Sequence, residues 1–413
     1  MATVLAYTSP ALGHLFPMVP LLLELRDRGH DVHVRTLASA VDDVRALGLA
    51  AQPVDPRIAQ IVHPDWEATN PRAALQVAVR TFGGRAALDG PDLTAAVAEV
   101  RPDVVVVDIN AWGASLAAEA WGGPWVCFSP YTPPISSAGT PPFGPGLAPL
   151  PGLRGRLRDG VVRPIVMGAA ERVMRPTMNA LRRGYGQSPL RTADEFFGRA
   201  PMIVTTAEPL EYPHPDWAGR VHLVGALPWE PPAPTPAWVE AIEGPVALVT
   251  TSSEYQADEQ LVRTAFAALA DQPWTVVATM PAGVGDVGPL PANARLVDFV
   301  PHSALLDRAV VAVTHGGMGA TQKALARGIP VCVVPFGRDQ LEVAARVVHA
   351  EAGTSLAVKK LSPVALRGAV RAAVGCVEGA RRVAEGFRRA GGAPAAADVV
   401  EGLVNRAPSS PTA

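Results

Sequence analysis

Short apolar runs alternate with longer helical patterns along this chain, twice over, and that alternation restricts the fold more than any other feature. The first run, Thr3–Thr8, reads as a buried strand. The loop Ser9-Pro10-Ala11-Leu12-Gly13-His14 leads into an apolar helical pattern through about Arg28; Gly29 stops it, and Asp31–Thr36 reads as the next strand. Strands joined by a crossover helix run parallel, so this is a βαβ unit. Val104–Asp108, after a helix near Leu93–Val100, then Trp125–Phe128 and Met202–Thr205, read as further strands of the same sheet.

Between Thr132 and Arg191 the pattern loosens into a Pro- and Gly-rich loop (Pro141–Pro151) and helical segments carrying Met167, Met174, Met178 and Leu181. Pro228–Pro236 has five prolines in nine positions, a stiff extended stretch that suits a domain boundary. Alternation then resumes: strand Val246–Thr250, helix Asp258–Ala270, and strands Trp274–Thr279, Val310–Thr314 and Val331–Val334. The 413 residues exceed one ordinary core and suit two domains of roughly 150–200 residues. The expected class is α/β, with two Rossmann-like domains facing across a cleft. Residues 1–215 form the first, 216–240 the linker, 241–394 the second, and 395–413 a C-terminal helix and tail that packs back on the first. In such sheets ligands sit beyond the carboxyl ends of the strands. His14, Asp108 and His315-Gly316-Gly317 all fall there, on the cleft side.

The formal charge is −2, so no basic field favours nucleic acid. Cys127, Cys332 and Cys376 are far apart and make no CxxC pair, which suits small buried apolar groups better than a thiolate site. The opening residues lack the basic segment and long apolar run of a signal peptide, and no apolar run approaches the ~20 residues that cross a bilayer. A cytoplasmic protein is expected.

Thr314-His315-Gly316-Gly317-Met318-Gly319, followed by the helical Ala320–Arg327, is the strongest local signal. Glycines let backbone approach a ligand, and a helix N-terminus presents free N–H groups with roughly half a positive charge, which suits a diphosphate. A tight turn without a ligand reads the same residues equally well. Gly283-Val284-Gly285-Asp286-Val287-Gly288 spells GxGxxG, but Pro289-Leu290-Pro291 follows where a dinucleotide site needs a helix start, and a dehydrogenase is set aside. Nine histidines are present, yet neither HExxH nor Asp-x-Asp occurs, and no metal is expected.

Taken together, several motifs resemble the family 1 nucleotide-sugar glycosyltransferases of the two-Rossmann GT-B class, which decorate plant metabolites and bacterial antibiotics. Gly13-His14-Leu15-Phe16-Pro17 and Leu25-Arg26-Asp27-Arg28-Gly29-His30 resemble that family's opening. Phe299-Val300-Pro301-His302, His315-Gly316-Gly317-Met318-Gly319, Gly328-Ile329-Pro330 and Pro335-Phe336-Gly337-Arg338-Asp339-Gln340 follow in the family's order and spacing. The likeness spans almost the whole chain and is greatest to actinobacterial enzymes that attach deoxysugars to enediynes and other polyketides.

The resemblance implies an inverting transfer of a sugar or deoxysugar, from a TDP- or UDP-sugar co-substrate to a hydroxyl of a small apolar natural product. It implies no other cofactor. His14 would take the acceptor's proton, and Asp108 would hold the other ring nitrogen. His315, Gly316, Gly317, Gly319 and Ala320 would hold the diphosphate, Ser252 and Ser253 would contact phosphate, Val300 backbone would read the base, and Asp339 and Gln340 would bond sugar hydroxyls. Phe299 stands where plant members usually carry Trp. Ala320 stands where many relatives carry Ser or Thr, so either Thr321 compensates or that hydrogen bond is missing. Trp66, Phe82, Trp112, Tyr131, Phe143, Met174 and Met178 would line an apolar acceptor pocket, although core packing explains each equally well. A homodimer is left open. Two other readings keep the fold: a nucleotide-sugar epimerase, which needs no acceptor, and a non-catalytic helper, against which the retained His14 and Asp108 speak.

Overall fold

The computed structural model describes residues 1–406; the tail beyond, part of the segment 395–413, lies outside the described residues. Two separate parallel sheets form. The first contains β1 (Thr3–Tyr7), β2 (Asp31–Thr36), β3 (Ala50–Pro53), β4 (Val104–Asp108), β5 (Trp125–Ser129), β6 (Met202–Val204) and β7 (Val221–Leu223), in the order β3-β2-β1-β4-β5-β6-β7. The second contains β8 (Val246–Thr250), β9 (Thr275–Thr279), β10 (Ala294–Val297), β11 (Ala309–Thr314), β12 (Val331–Val333) and β13 (Gly353–Ser355), in the order β10-β9-β8-β11-β12-β13. β4 is four valines and an aspartate, all buried, as a strand covered by helices on both faces must be.

Strand order reverses between β1 and β4, and again between β8 and β11. At such switch points the loops leaving adjacent strands diverge and open a crevice. His14, just beyond β1, and Asp108, ending β4, therefore meet at the first crevice, although 94 residues separate them. The second crevice receives the loop after β8, with Ser252 and Ser253, and the turn His315–Gly319 after β11.

The helix Leu12–Asp27 carries His14 in its first turn. Pro17 has no N–H to give Gly13's carbonyl, so the helix start is held by packing of Leu15, Met18 and Leu22 against the sheet. It ends at Gly29 (φ 86°), where His30 N–H donates to Leu25 O (3.1 Å) and Gly29 N–H to Arg26 O (2.8 Å), closing the last turn.

Three segments differ from the sequence expectation. β7 lies inside the stretch 216–240 assigned to the linker, because Val221–Leu223 finds a parallel partner in β6. The helix expected near Leu93–Val100 begins at Pro71, capped by Asn70 accepting from Ala73 N–H. The loose region after Thr132 contains one helix, Gly152–Gly184, that continues through Pro164 and Pro176.

Buried polar contacts join the two sheets' domains. Glu342 Oε1 accepts from Gly144 and Gly146 N–H (2.7 and 2.8 Å), while Arg346 pairs with Glu342 and Glu211 (both 2.8 Å) and lies over the Tyr212 ring. The helix Gly392–Val404 buries Ala396, Ala397 and Val400 in the first domain's core, and Arg28 and His30 grip its Glu401.

Candidate active site

His14 Nδ1 lies 2.7 Å from Asp108 Oδ2, a fully buried carboxylate whose Oδ1 accepts from Asn110 N–H (2.9 Å). The imidazole keeps 16% of its surface exposed, toward the cleft. Burial pushes its pKa down, but the Asp108 carboxylate, with Glu254 and Asp339 from the second domain, raises it above the ordinary value. Such a dyad fixes which ring nitrogen carries the proton and stabilises the imidazolium once Nε2 takes another. Asn110 was not singled out in the sequence. Its amide lies 3.2 Å from His14 Nε2, and its Oδ1 accepts from the Tyr131 hydroxyl (2.8 Å). The available signal was its place two residues after a strand-end aspartate, whose carboxylate accepts from the N–H two positions on in a side-chain-bonded turn.

Across the cleft, Ser253 is exposed, and its Oγ stands 3.8 Å from the place a Cβ on Gly13 would occupy. Ser252 is buried instead: its N–H donates to Asp258 Oδ2 (2.7 Å), and its Oγ accepts from Glu254 N–H (3.2 Å). Gly316 has φ 95°, and a Cβ there would press on Gln340 Cβ and Val333 Cγ1 at 2.9 Å, so the turn admits only glycine. His315 is buried, and burial pushes its pKa down to about 4, which keeps the ring neutral. The helix Met318–Leu325 starts at Gly317 without a side-chain cap, leaving its first N–H groups to an outside acceptor. Thr321 is fully buried with its Oγ1 3.3 Å from Thr314 Oγ1, so it does not replace the hydroxyl that Ala320 lacks.

Asp339 heads the helix Gln340–His349. Burial raises its pKa, which Arg338 and His14 partly offset. Gln340 has both ends of its side chain engaged. Its Oε1 accepts from Phe336 and Gly337 N–H (2.7 and 3.0 Å), and its Nε2 donates to Gln256 (2.7 Å). Both ends of this buried amide brace the loop that presents Asp339. The Val300 side chain is core, beside an exposed Phe299.

The acceptor candidates separate into three groups. Trp112 and Met178 are core residues, 3% and 0% exposed, and lie behind the partly exposed candidates. Phe82, Met174 and Tyr131 pack against them while partly exposed, with Phe82 between the rings of His63 and Trp112. Trp66 meets Tyr255 edge-on across the domain boundary, and Phe143 sits on the loop that Glu342 anchors. Among the described residues, no group of His, Cys, Asp and Glu is arranged to hold a metal ion, and no helix is long and apolar enough to cross a membrane.

Comparison with known proteins agrees with the two-sheet fold. Residues 263–405 match the C-terminal domain model of erythromycin biosynthesis protein CIII-like proteins. Over 424 residues the chain is 33% identical to 4'-demethylrebeccamycin synthase of Lentzea aerocolonigenes, spanning 98% of this chain and 100% of that protein. The calicheamicin glycosyltransferase CalG4 shares the fold with a TM-score of 0.71 at 24% identity, over 99% of this chain and 100% of that one. The glycosyltransferase VinC, solved in complex with dTDP, gives 0.70 at 24% identity, over 98% and 100%. With a relative this similar along its whole length and the same two-sheet fold, the chain belongs to the GT-B glycosyltransferases of antibiotic biosynthesis.

Proposed function

We propose that this protein moves a sugar or deoxysugar from a TDP- or UDP-linked donor to a hydroxyl of a small apolar natural product, such as an enediyne or polyketide aglycone. The transfer inverts the anomeric centre and uses no metal ion. The observation that carries this reading is the 2.7 Å His14–Asp108 pair on one wall of the cleft, facing the acidic and glycine-rich loops of the other. The acceptor hydroxyl gives its proton to His14 Nε2 as its oxygen bonds to the anomeric carbon. The bond from that carbon to the diphosphate breaks, and the diphosphate leaves with the electron pair. One displacement from the opposite face inverts the centre, giving a β linkage from an α-linked D-sugar. Diphosphate charge is met by the first N–H groups of Met318–Leu325 and by His315. Phe82, Met174 and Tyr131 supply an apolar wall beside His14 for the aglycone, and Asp339 accepts from sugar hydroxyls.

The test is the reverse reaction. Glycosylated natural products are incubated with free dTDP or UDP, with and without EDTA, and the mixture is searched for aglycone and nucleotide sugar. Their joint appearance, unaffected by EDTA, is the expected result. Conversion of a nucleotide sugar in the absence of any acceptor would identify an epimerase instead. A product whose anomeric coupling matches the donor's would rule out single displacement.

A further inference from the structure

We propose that Asn110, locked by Tyr131, is a positioning residue that holds His14 in its Nδ1–H tautomer and keeps Nε2 unprotonated until the acceptor hydroxyl replaces it. The inference rests on His14 being the acceptor's base. Four contacts carry it. Tyr131 O–H donates to Asn110 Oδ1 (2.8 Å), which turns the amide so that its Nδ2–H₂ faces His14 Nε2 (3.2 Å). A donor opposite Nε2 requires a lone pair there, so the ring proton sits on Nδ1 and is given to Asp108 Oδ2 (2.7 Å). Asn110 N–H also bonds Asp108 Oδ1 (2.9 Å), so one residue fixes both the carboxylate and the far side of the imidazole.

The need for such a lock follows from the charges around His14. Asp108 lies at the end of β4, Glu254 in the loop after β8, and Asp339 ahead of the helix Gln340–His349, and all three favour the imidazolium. Burial works against them, yet together with the Asp108 hydrogen bond they outweigh it, so protonation at Nε2 needs a further opposing contact. The Asn110 amide supplies one, because a protonated Nε2 would set N–H against N–H. Tyr131 remains a proton donor throughout, since burial and the nearby Asp108 and Asp339 push its hydroxyl pKa well up. An incoming hydroxyl donates to the same lone pair, so it replaces one donor with another. After transfer, return of the amide favours release of the proton to solvent and resets the base.

The test is a ¹⁵N-histidine NMR titration of the full chain, with His14→Gln to assign the resonance. The wild-type neutral ring should show protonated Nδ1 and bare Nε2. Asn110→Asp puts a carboxylate opposite Nε2 and should raise the His14 pKa by about one unit or more. Tyr131→Phe frees the amide to turn its oxygen toward Nε2, and should move the pKa the same way by about half a unit. The acid limb of kcat/KM should follow both. A purely structural role would lower rates equally at every pH. A wild-type Nε2–H tautomer, or titrations within about 0.2 unit of wild type in both variants, would overturn the lock. The titration needs no turnover. If the pKa values move and no sugar reaches dTDP or UDP, the transfer reading fails and the lock stands; if transfer occurs with unmoved titrations, the lock alone fails.

Discussion

At the level of single residues, the dyad sets the pH dependence. Burial lowers the pKa of His14, and Asp108 with Glu254 and Asp339 more than restores it, so the folded value lies above the ordinary 6.5. The base acts when neutral, so kcat/KM should fall with falling pH through a midpoint above 6.5. Asp108→Asn removes the carboxylate and leaves burial in place. Its acid limb should move to lower pH while the plateau drops about 100-fold, and pH–rate profiles of the two proteins check both. An unmoved limb would mean that Asp108 does not govern the ring. The sequence placed both partners at strand ends of one sheet, but it could not supply their adjacency. That depends on β1 and β4 being neighbours, which strand order decides and local pattern does not. Asn110 escaped for a related reason: its role lies in an amide orientation set by Tyr131, a partner 21 residues away. The motif around Gln340 likewise cannot reveal that Gln256 and two backbone N–H groups engage its side chain.

At the level of elements, close backbone approach places the turn that holds Asp108 and Asn110. That turn runs directly into the helix Trp112–Trp121, which packs on the helix Pro71–Val100 through Gly113. A Cβ on Gly113 would lie 2.1 Å from Ala86 O and 2.2 Å from Asp89 Oδ1. Gly113→Ala should therefore cost about 3 kcal/mol in urea unfolding and lower kcat by shifting the Asp108–Asn110 turn. An unchanged midpoint would show that the helices separate freely. In the second domain, His315 has a folded pKa of about 4, below its unfolded 6.5. The unfolded chain binds the extra proton between those values, so this residue's contribution to stability is full above 6.5 and declines as pH falls toward 4. The stability difference between wild type and His315→Gln should shift by about 2 kcal/mol, against wild type, between pH 7 and pH 5. Denaturant titrations at the two pH values measure it.

Central strands were legible in the sequence because they are buried on both faces and read as continuous Val, Ala and Leu runs. β3, β7, β10 and β13 were not: each is short, lies at or beside a sheet edge, and carries polar or small residues such as Gly353-Thr354-Ser355. The helix Gly152–Gly184 is legible only as separate helical segments, and it contains Pro164 and Pro176.

At the scale of the whole molecule, the account requires the two domains to hold a defined cleft. Glu211, Glu342 and Arg346 form a buried network across the boundary, and Glu342 also fixes the Gly144–Gly146 loop beside Phe143. Arg346→Met leaves two buried carboxylates facing each other and should cost about 3–5 kcal/mol, seen as a lower thermal midpoint. Adding Glu342→Gln should recover part of that loss; no recovery would place the cost in lost packing over Tyr212. The proposed mechanism puts proton abstraction in one domain and diphosphate binding in the other, and this division of labour has the sharpest consequence. The measurement that tests it most directly is single-turnover sugar transfer by folded His14→Ala alongside its dTDP affinity. Transfer should be at least ~100-fold slower, with affinity within about twofold of wild type because the proposed nucleotide contacts lie in the other domain. Transfer at the wild-type rate by the folded variant would contradict it.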